Sequence, residues 1–374
     1  MKAIMGLLGV ALAALAVGPV RAETAPVTVG AIEILTGPNA RYGVSIKTGL
    51  ELALDEINAA GGVLGHPLTL IVEDSAGNKE QAINAARKLI ARDKVAAIIG
   101  PTLSNEMFAV GPVANERKIP IIGTSTTAKG ITDIGPYVFR TSLPESDVIP
   151  VTLKTAQAKF GIKRVAVMYG NDDAFTKSGY DVFKETLDKM GIEIATIETF
   201  GGKDSDFSAQ LTKIKGLNVE AVVVSALVEA ASGILLQARQ LGIPDQIFFI
   251  GGNGLNSAKL GEIAGKSADG TLVGSPWFIG KQDPMNQKFV EAFQKKSGGL
   301  PDQFAAQAYD TLHILAEALT RAGGTDSDKL RDALLETKHT GVMGPFRFTD
   351  HRDPGSNDGV VVLLMKDGKF GALQ

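Results

Sequence analysis

The chain has 374 residues, 44% of them hydrophobic, which is enough for about two domains with real cores. Its 38 basic and 41 acidic residues leave a net charge of −3, with no basic excess to neutralise a phosphate backbone, so nucleic acid is excluded as a partner. With no cysteine there is no disulfide, no thiolate nucleophile or metal ligand, and no lipid acceptor.

Lys2 precedes an uncharged run from Ala3 to Val20, which closes on the small-x-small triplet Val20-Arg21-Ala22. This is the arrangement of a secretory signal cleaved after Ala22. The run is barely long enough for a membrane span and is rich in Ala and Gly, so removal is expected rather than anchoring. Loss of Lys2 and Arg21 takes the 38 basic residues to 36 against an unchanged 41 acidic, a net of −5. No later segment approaches the ~20 continuous apolar residues of a span, and the expected compartment is a bacterial periplasm.

From there short β-branched apolar runs alternate with amphipathic stretches, the pattern of parallel strands joined by crossover helices, so the fold class is α/β. Strands are predicted at Val27 to Ile34, Leu68 to Val72, Val95 to Ile99 and Ile119 to Ile122. Ile46, Leu50, Ala53, Leu54 and Ile57 share one helical face, stopped by Gly61-Gly62. After Tyr137 to Ser142 the pattern restarts, with strands at Arg164 to Tyr169, Ile192 to Ile197, Val219 to Ser225 and Gln246 to Ile250. Helices from Ser178 to Met190 and from Glu229 to Leu241 run into Gly191 and Gly242.

The last third is different: helices near Asn286 to Lys296, Phe304 to Ala322 and Ser327 to Glu336, then GPFRF (Gly344 to Phe348) and VVVLLM (Val360 to Met365). Three helices without strands cannot form an α/β domain of their own, so they are expected to return to the first sheet. That places an N-terminal lobe at 23–142 plus 276–355 and a C-terminal lobe at 143–275 plus 356–374. Crossings near Ser142, Pro276 and Ser356 imply a hinge.

Ligands on open parallel sheets bind beyond the carboxyl ends of the strands. The corresponding loops are rich in Gly and hydroxyls: Gly100 to Asn105, Gly123 to Thr127, Gly170 to Asp173 and Gly251 to Gly254. Each hydroxyl taken alone also reads as a helix cap. Together they suggest a shared polar site, and helix N-termini suit a carboxylate.

Motifs for chemistry fail one by one. The first strand is followed by Glu33-Ile34-Leu35-Thr36-Gly37-Pro38, where a dinucleotide site needs GxGxxG, and Gly265-Lys266-Ser267 has Leu260 where a P-loop needs its first Gly. His66, His313, His339 and His351 stand apart from any metal-ligand spacing. Glu73-Asp74 and Asp172-Asp173 read as solvated loop charge. No cofactor, metal or catalytic residue is expected, and the protein is not expected to be an enzyme.

LTGPNARYG (Leu35 to Gly43), DEINAAGGVLG (Asp55 to Gly65), DSAGN (Asp74 to Asn78), IGPTLSNE (Ile99 to Glu106), DFSAQL (Asp206 to Leu211) and GPFRF occur in one order. In these pieces the chain, from Val27 to Phe370, resembles the periplasmic solute-binding proteins of branched-chain amino acid type ABC transporters. The resemblance implies two Rossmann-like lobes joined by a three-segment hinge, a monomer, and a solute trapped between the lobes for delivery to membrane permease subunits. It implies that Ser104 and Thr127 bind the solute carboxylate, with main-chain help from Ser125 and Thr126. Tyr42 and Phe175 would be aromatic walls from the two lobes, and Leu227 would line the side-chain pocket.

The departure is Asn253, where amino acid binders of this family usually carry an acid for the ligand ammonium. Glu229, Asp172 or Asp173 would have to compensate, or the solute lacks an amine, as aromatic and aliphatic carboxylates and amides do. A ligand-sensing receptor module is the other reading of the same resemblance.

Overall fold

The computed structural model describes residues 26–355 and 359–373. The proposed signal and the crossing near Ser356 fall outside the described residues. Among the described residues no helix is long and apolar enough to cross a membrane.

The first unit runs β1 (Val27–Glu33), α1 (Ala40–Ala59), β2 (Leu68–Asp74), α2 (Lys79–Ala91), β3 (Ile98–Ile99), α3 (Ser104–Glu116), β4 (Ile121–Gly123) and β5 (Val138–Arg140). Its strands form one parallel sheet in the order β2-β1-β3-β4-β5. Val29, Ala31, Ile98, Ile99, Ile121 and Ile122 are wholly buried, as in a sheet covered on both faces.

The second unit continues with α4 (Glu145–Phe160), β6 (Arg164–Gly170), α5 (Ala174–Met190), β7 (Glu193–Phe200), α6 (Ser208–Lys215), β8 (Ala221–Ser225), α7 (Val228–Gln240), β9 (Phe248–Gly251), α8 (Ala258–Ala264) and β10 (Thr271–Ser275). The chain then forms α9 (Pro284–Ser297), α10 (Gln303–Ala322) and α11 (Ser327–Leu335), the short pair β11 (His339–Gly341) and β12 (Gly344–Phe346), and finally β13 (Val361–Lys366) and β14 (Lys369–Ala372). The second sheet has the order β14-β13-β10-β9-β8-β6-β7, with only β13 and β14 antiparallel to their neighbours.

Helix α10 lies on α1 so closely that a Cβ on Gly49 would sit 2.3 Å from the Ala305 carbonyl. Only a residue without a side chain permits that approach, which seats the N-terminus of α10 beside the first sheet.

The predicted strands match in kind and approximate position. The predicted run Val95 to Ile99 shortens to Ile98–Ile99, although Ala96 N–H still donates to the Thr28 carbonyl at 2.8 Å. The sequence pattern does not single out β5, α4, α6, α8, β10 or β14. A three-residue strand falls below any periodicity window, and α4 carries Pro150 inside it and Pro144 at its cap, both breaker signals.

Candidate functional site

Strand order reverses between β1 and β3 in the first sheet and between β6 and β8 in the second. At such switch points the loops beyond adjacent strands diverge and leave a crevice. The two crevices face each other and leave a cavity of about 20 Å³ between them. The first unit and α10 contribute Tyr42, Thr102, Leu103, Ser104, Ser125, Thr127 and Phe304, and the second unit contributes Phe175, Leu227, Asn253 and Gly254.

One end of the cavity is built from hydroxyls. Ser125 Oγ donates to the Thr102 carbonyl at 2.6 Å, and Ser104 Oγ, on the first residue of α3, accepts from Ala128 N–H at 3.3 Å. Thr127 Oγ1 is buried and has no protein partner. The hydroxyls of Thr124, Thr126 and Thr271 are buried without partners too, but of the four only Thr127 lines the cavity, where a solute can supply the missing hydrogen bond. With the free backbone N–H groups at the start of α3 close by, this end suits a carboxylate.

The other end is apolar. Tyr42 and Phe304 meet edge to face with centroids 4.9 Å apart, and Phe175 and Leu227 close the opposite wall. The Tyr42 hydroxyl accepts from Val228 N–H at 2.8 Å and donates to the Gly254 carbonyl at 2.6 Å. Burial pushes its phenol well above the ordinary range, so it keeps the proton it donates.

Further bonds join the units around the cavity. Ala174 N–H donates to Asn105 Oδ1 at 3.0 Å, Asn105 Nδ2 donates to Asp173, and Lys129 N–H donates to Ser178 Oγ at 2.9 Å. These are contacts of a closed clamp.

The predicted residues Tyr42, Ser104, Ser125, Thr127, Phe175, Leu227 and Asn253 all line this one cavity. Thr126 is not on the lining. Its carbonyl is turned toward the crossing, accepting from Ser142 Oγ at 3.1 Å and Arg140 Nη1 at 3.3 Å.

The suggested compensating acids are also placed elsewhere. Asp172 accepts Gly202 N–H, Asp173 caps α5 through Thr176 N–H, and Glu229 sits in the first turn of α7. Among the described residues no acidic side chain lines the cavity.

Thr102, Leu103 and Gly254 lie inside loops already singled out by their Gly and hydroxyl content. Phe304 could not be foreseen, because only the packing of α10 on α1 brings it there.

Three carboxyl groups are buried just behind the lining. Glu33 accepts from Thr102 Oγ1 at 2.5 Å, and Glu106 accepts from Leu103 N–H at 3.1 Å, both under the hydroxyl end. Glu145 Oε1 accepts from Asn253 N–H at 3.0 Å. Burial pushes Glu106 and Glu145 each up to about 7 and Glu33 well above the usual carboxylate range. Among the described residues no group of His, Asp and Glu is arranged to hold a metal ion.

A sequence model described as periplasmic binding protein matches residues 26–369. The chain belongs to the periplasmic binding protein family. It is 28% identical over 334 residues to the leucine-, isoleucine-, valine-, threonine- and alanine-binding protein of Pseudomonas aeruginosa, covering 89% of this chain and 88% of that one. The branched-chain amino acid transporter substrate-binding protein LivJ of Streptococcus pneumoniae, solved with isoleucine, superposes with a TM-score of 0.88 at 29% identity, covering 93% of this chain and 98% of that one. A solute-binding protein of Rhodopseudomonas palustris BisB5, solved with 3,4-dihydroxybenzoic acid, gives 0.83 at 27% identity, covering 92% and 94%. The cavity lies between the two lobes of this periplasmic binding protein.

Proposed function

We propose that this binding protein captures a small solute with a carboxylate head and an apolar body, and hands it to the permease subunits of an importer. Export to the periplasm through the N-terminal signal, a monomeric state and a binding rather than catalytic role belong to the same proposal. The carrying observation is Thr127 Oγ1, buried and unpartnered at the hydroxyl end of an otherwise apolar cavity. The eight predicted site residues less Thr126 would act as the contact set, with Ser104, Ser125 and Thr127 toward the carboxylate and Tyr42, Phe175 and Leu227 around the body.

Hydrophobic amino acids are the leading solute class, since they are what the Pseudomonas aeruginosa and Streptococcus pneumoniae proteins are named for or solved with. The absence of any acid on the lining favours a second reading, an amine-free carboxylate, and the Rhodopseudomonas palustris protein was solved with one. Calorimetric titration with leucine, isoleucine, valine, 4-methylpentanoate and benzoate separates the classes. Small-angle scattering tests the clamp, because a solute touching both lobes shifts the population toward the closed form. Unchanged scattering at saturation contradicts capture by closure.

A further inference from the structure

An amino acid solute brings an ammonium into a cavity lined by no carboxylate, and in such a site a buried charge without a partner is strongly disfavoured. A counter-charge, if this chain has one, must stand behind the lining. Glu33 and Glu106 lie under the hydroxyl end, where a carboxylate would sit and an ionised acid would repel it. Asp302 is engaged by Ser45 Oγ at 2.6 Å and Ala305 N–H at 3.0 Å, and Asp172 and Asp173 are engaged in their own loops.

Glu33 Oε1 and Glu106 Oε1 are also buried without partners, so Glu145 differs from these acids by its place and not by a free oxygen alone. It is the first residue of α4, immediately after the chain crosses from one lobe to the other, and it is 1% exposed. Its Oε1 takes the Asn253 N–H, while its Oε2 is buried without a partner. Its own N–H reaches the Thr127 carbonyl at 3.4 Å, so it touches the two site loops that face each other across the cleft. A Cβ on Gly252 would lie 2.7 Å from the carboxyl, so the carboxyl lies against the backbone that carries Asn253.

The Asn253 side chain completes the connection. Its Nδ2 donates to the Leu143 carbonyl at 3.4 Å, which leaves Oδ1 as its acceptor, met only by a 3.5 Å approach of Gln303 Nε2. An amide oxygen accepts a hydrogen bond from an ammonium but carries no charge to balance it. The charge can stand one residue deeper.

We propose that Glu145 is the positioning residue for the amine of an amino acid solute: the ammonium donates to Asn253 Oδ1, and the Glu145 carboxylate behind the Asn253 backbone balances its charge. This rests on the reading of the site as a carboxylate binder and settles which carboxylates it takes. The neighbouring elements leave Glu145 without another cation. Arg140 is held by Asp353 at 2.5 Å and by the Thr126 and Ala128 carbonyls, Asp147 follows on the same helix, and β10 and the Gly251 to Ser257 loop carry no charged residue. Burial favours its protonated form near neutrality, with the Asn253 N–H opposing, so arrival of an ammonium should drive the proton off to solvent.

The test is calorimetry at about pH 6.5 in two buffers of different ionisation heat, with leucine and its deaminated analogue 4-methylpentanoate, on native protein and Glu145→Gln. Native protein should release a fraction of a proton on binding leucine and none on binding 4-methylpentanoate. Glu145→Gln should abolish that release and weaken leucine about 10- to 100-fold, the size of one charge-assisted interaction, while 4-methylpentanoate stays within about threefold. Equal weakening of both ligands would mean a merely structural role and overturns the proposal, as does leucine binding without proton release in native protein, a readout that needs no variant to fold. Native protein that binds 4-methylpentanoate but not leucine overturns this inference while the carboxylate reading stands. If native protein binds neither, the carboxylate reading falls and this inference with it.

Discussion

The Tyr42 hydroxyl of the first lobe donates to the Gly254 carbonyl of the second at 2.6 Å, and the same oxygen accepts the Val228 N–H. One phenol thereby bridges two loops of the opposite jaw, and its geometry exists only when the jaws are together. Tyr42→Phe keeps the ring on Phe304 but leaves two buried backbone groups unpaired in the closed form. Each such loss is worth about 1–3 kcal/mol, so the two together should lower solute affinity by at least about 30-fold, mainly through faster release. Thermal stability of the solute-free protein should hardly move, since the bond is not needed by either lobe alone. Stopped-flow release rates and melting curves check both halves of this expectation.

Thr127 and Ser104 sit at the same end of the cavity but differ in what they do for the protein itself. Thr127 Oγ1 has no protein partner, whereas Ser104 Oγ takes the Ala128 N–H. Thr127→Val should therefore weaken a carboxylate solute by about 1–3 kcal/mol with no loss of stability. Ser104→Ala should weaken binding similarly and also lower the melting temperature, because a backbone N–H is left unpaired. Unchanged affinity in both variants would remove the carboxylate from this end of the cleft.

Gly254 is placed where no side chain fits. A Cβ there would meet the Ala226 carbonyl at 2.3 Å and Phe175 Cε1 at 2.9 Å. Gly254→Ala must push the loop away from β8 or displace the Phe175 wall, and either shift moves the carbonyl that Tyr42 holds. Overpacking of this kind costs about 1–3 kcal/mol in folding. The expected result is a folded protein with a modestly lower melting temperature and at least about tenfold weaker binding, read by circular dichroism and calorimetry.

Much of this architecture is legible in the chain itself. Runs such as Val219 to Ser225 are apolar throughout because parallel strands are covered on both faces, and their spacing gives the alternating architecture directly. The loops that follow them carry the Gly and hydroxyl content that a switch-point crevice needs, so Ser104, Ser125, Thr127 and Asn253 could be found locally. Glu145 and Phe304 could not. Each reaches the site through long-range packing, Glu145 by meeting the Asn253 backbone 108 positions later and Phe304 by riding on α10. In consecutive loop residues such as Ser125 to Thr127 the pattern of types says little about which peptide faces the cavity.

The buried acids also set how stability responds to pH. Burial raises Glu145 and Glu106 from an ordinary 4.5 to about 7, and raises Glu33 well above its ordinary value. A raised carboxyl pKa means that the folded protein holds a proton which the unfolded chain releases, so each group favours folding at low pH and loses that contribution as pH climbs from about 4.5 to about 7. Burial also raises Asp310, to about 6, which adds the same sign, while the depressed His313 opposes it over part of the window. Exposed acids held below their ordinary range, such as Asp206 and Asp328, act only at lower pH. Stability should therefore peak near pH 5 and decline toward pH 8. For Glu145 alone the shift corresponds to roughly 3 kcal/mol at most. Glu145→Gln stays neutral throughout, so the difference in melting temperature between pH 5 and pH 8 should shrink by about 5 °C relative to native protein. Scanning calorimetry across that range measures it, and a native profile that is flat or rises toward pH 8 contradicts the assignment of these acids as protonated in the fold.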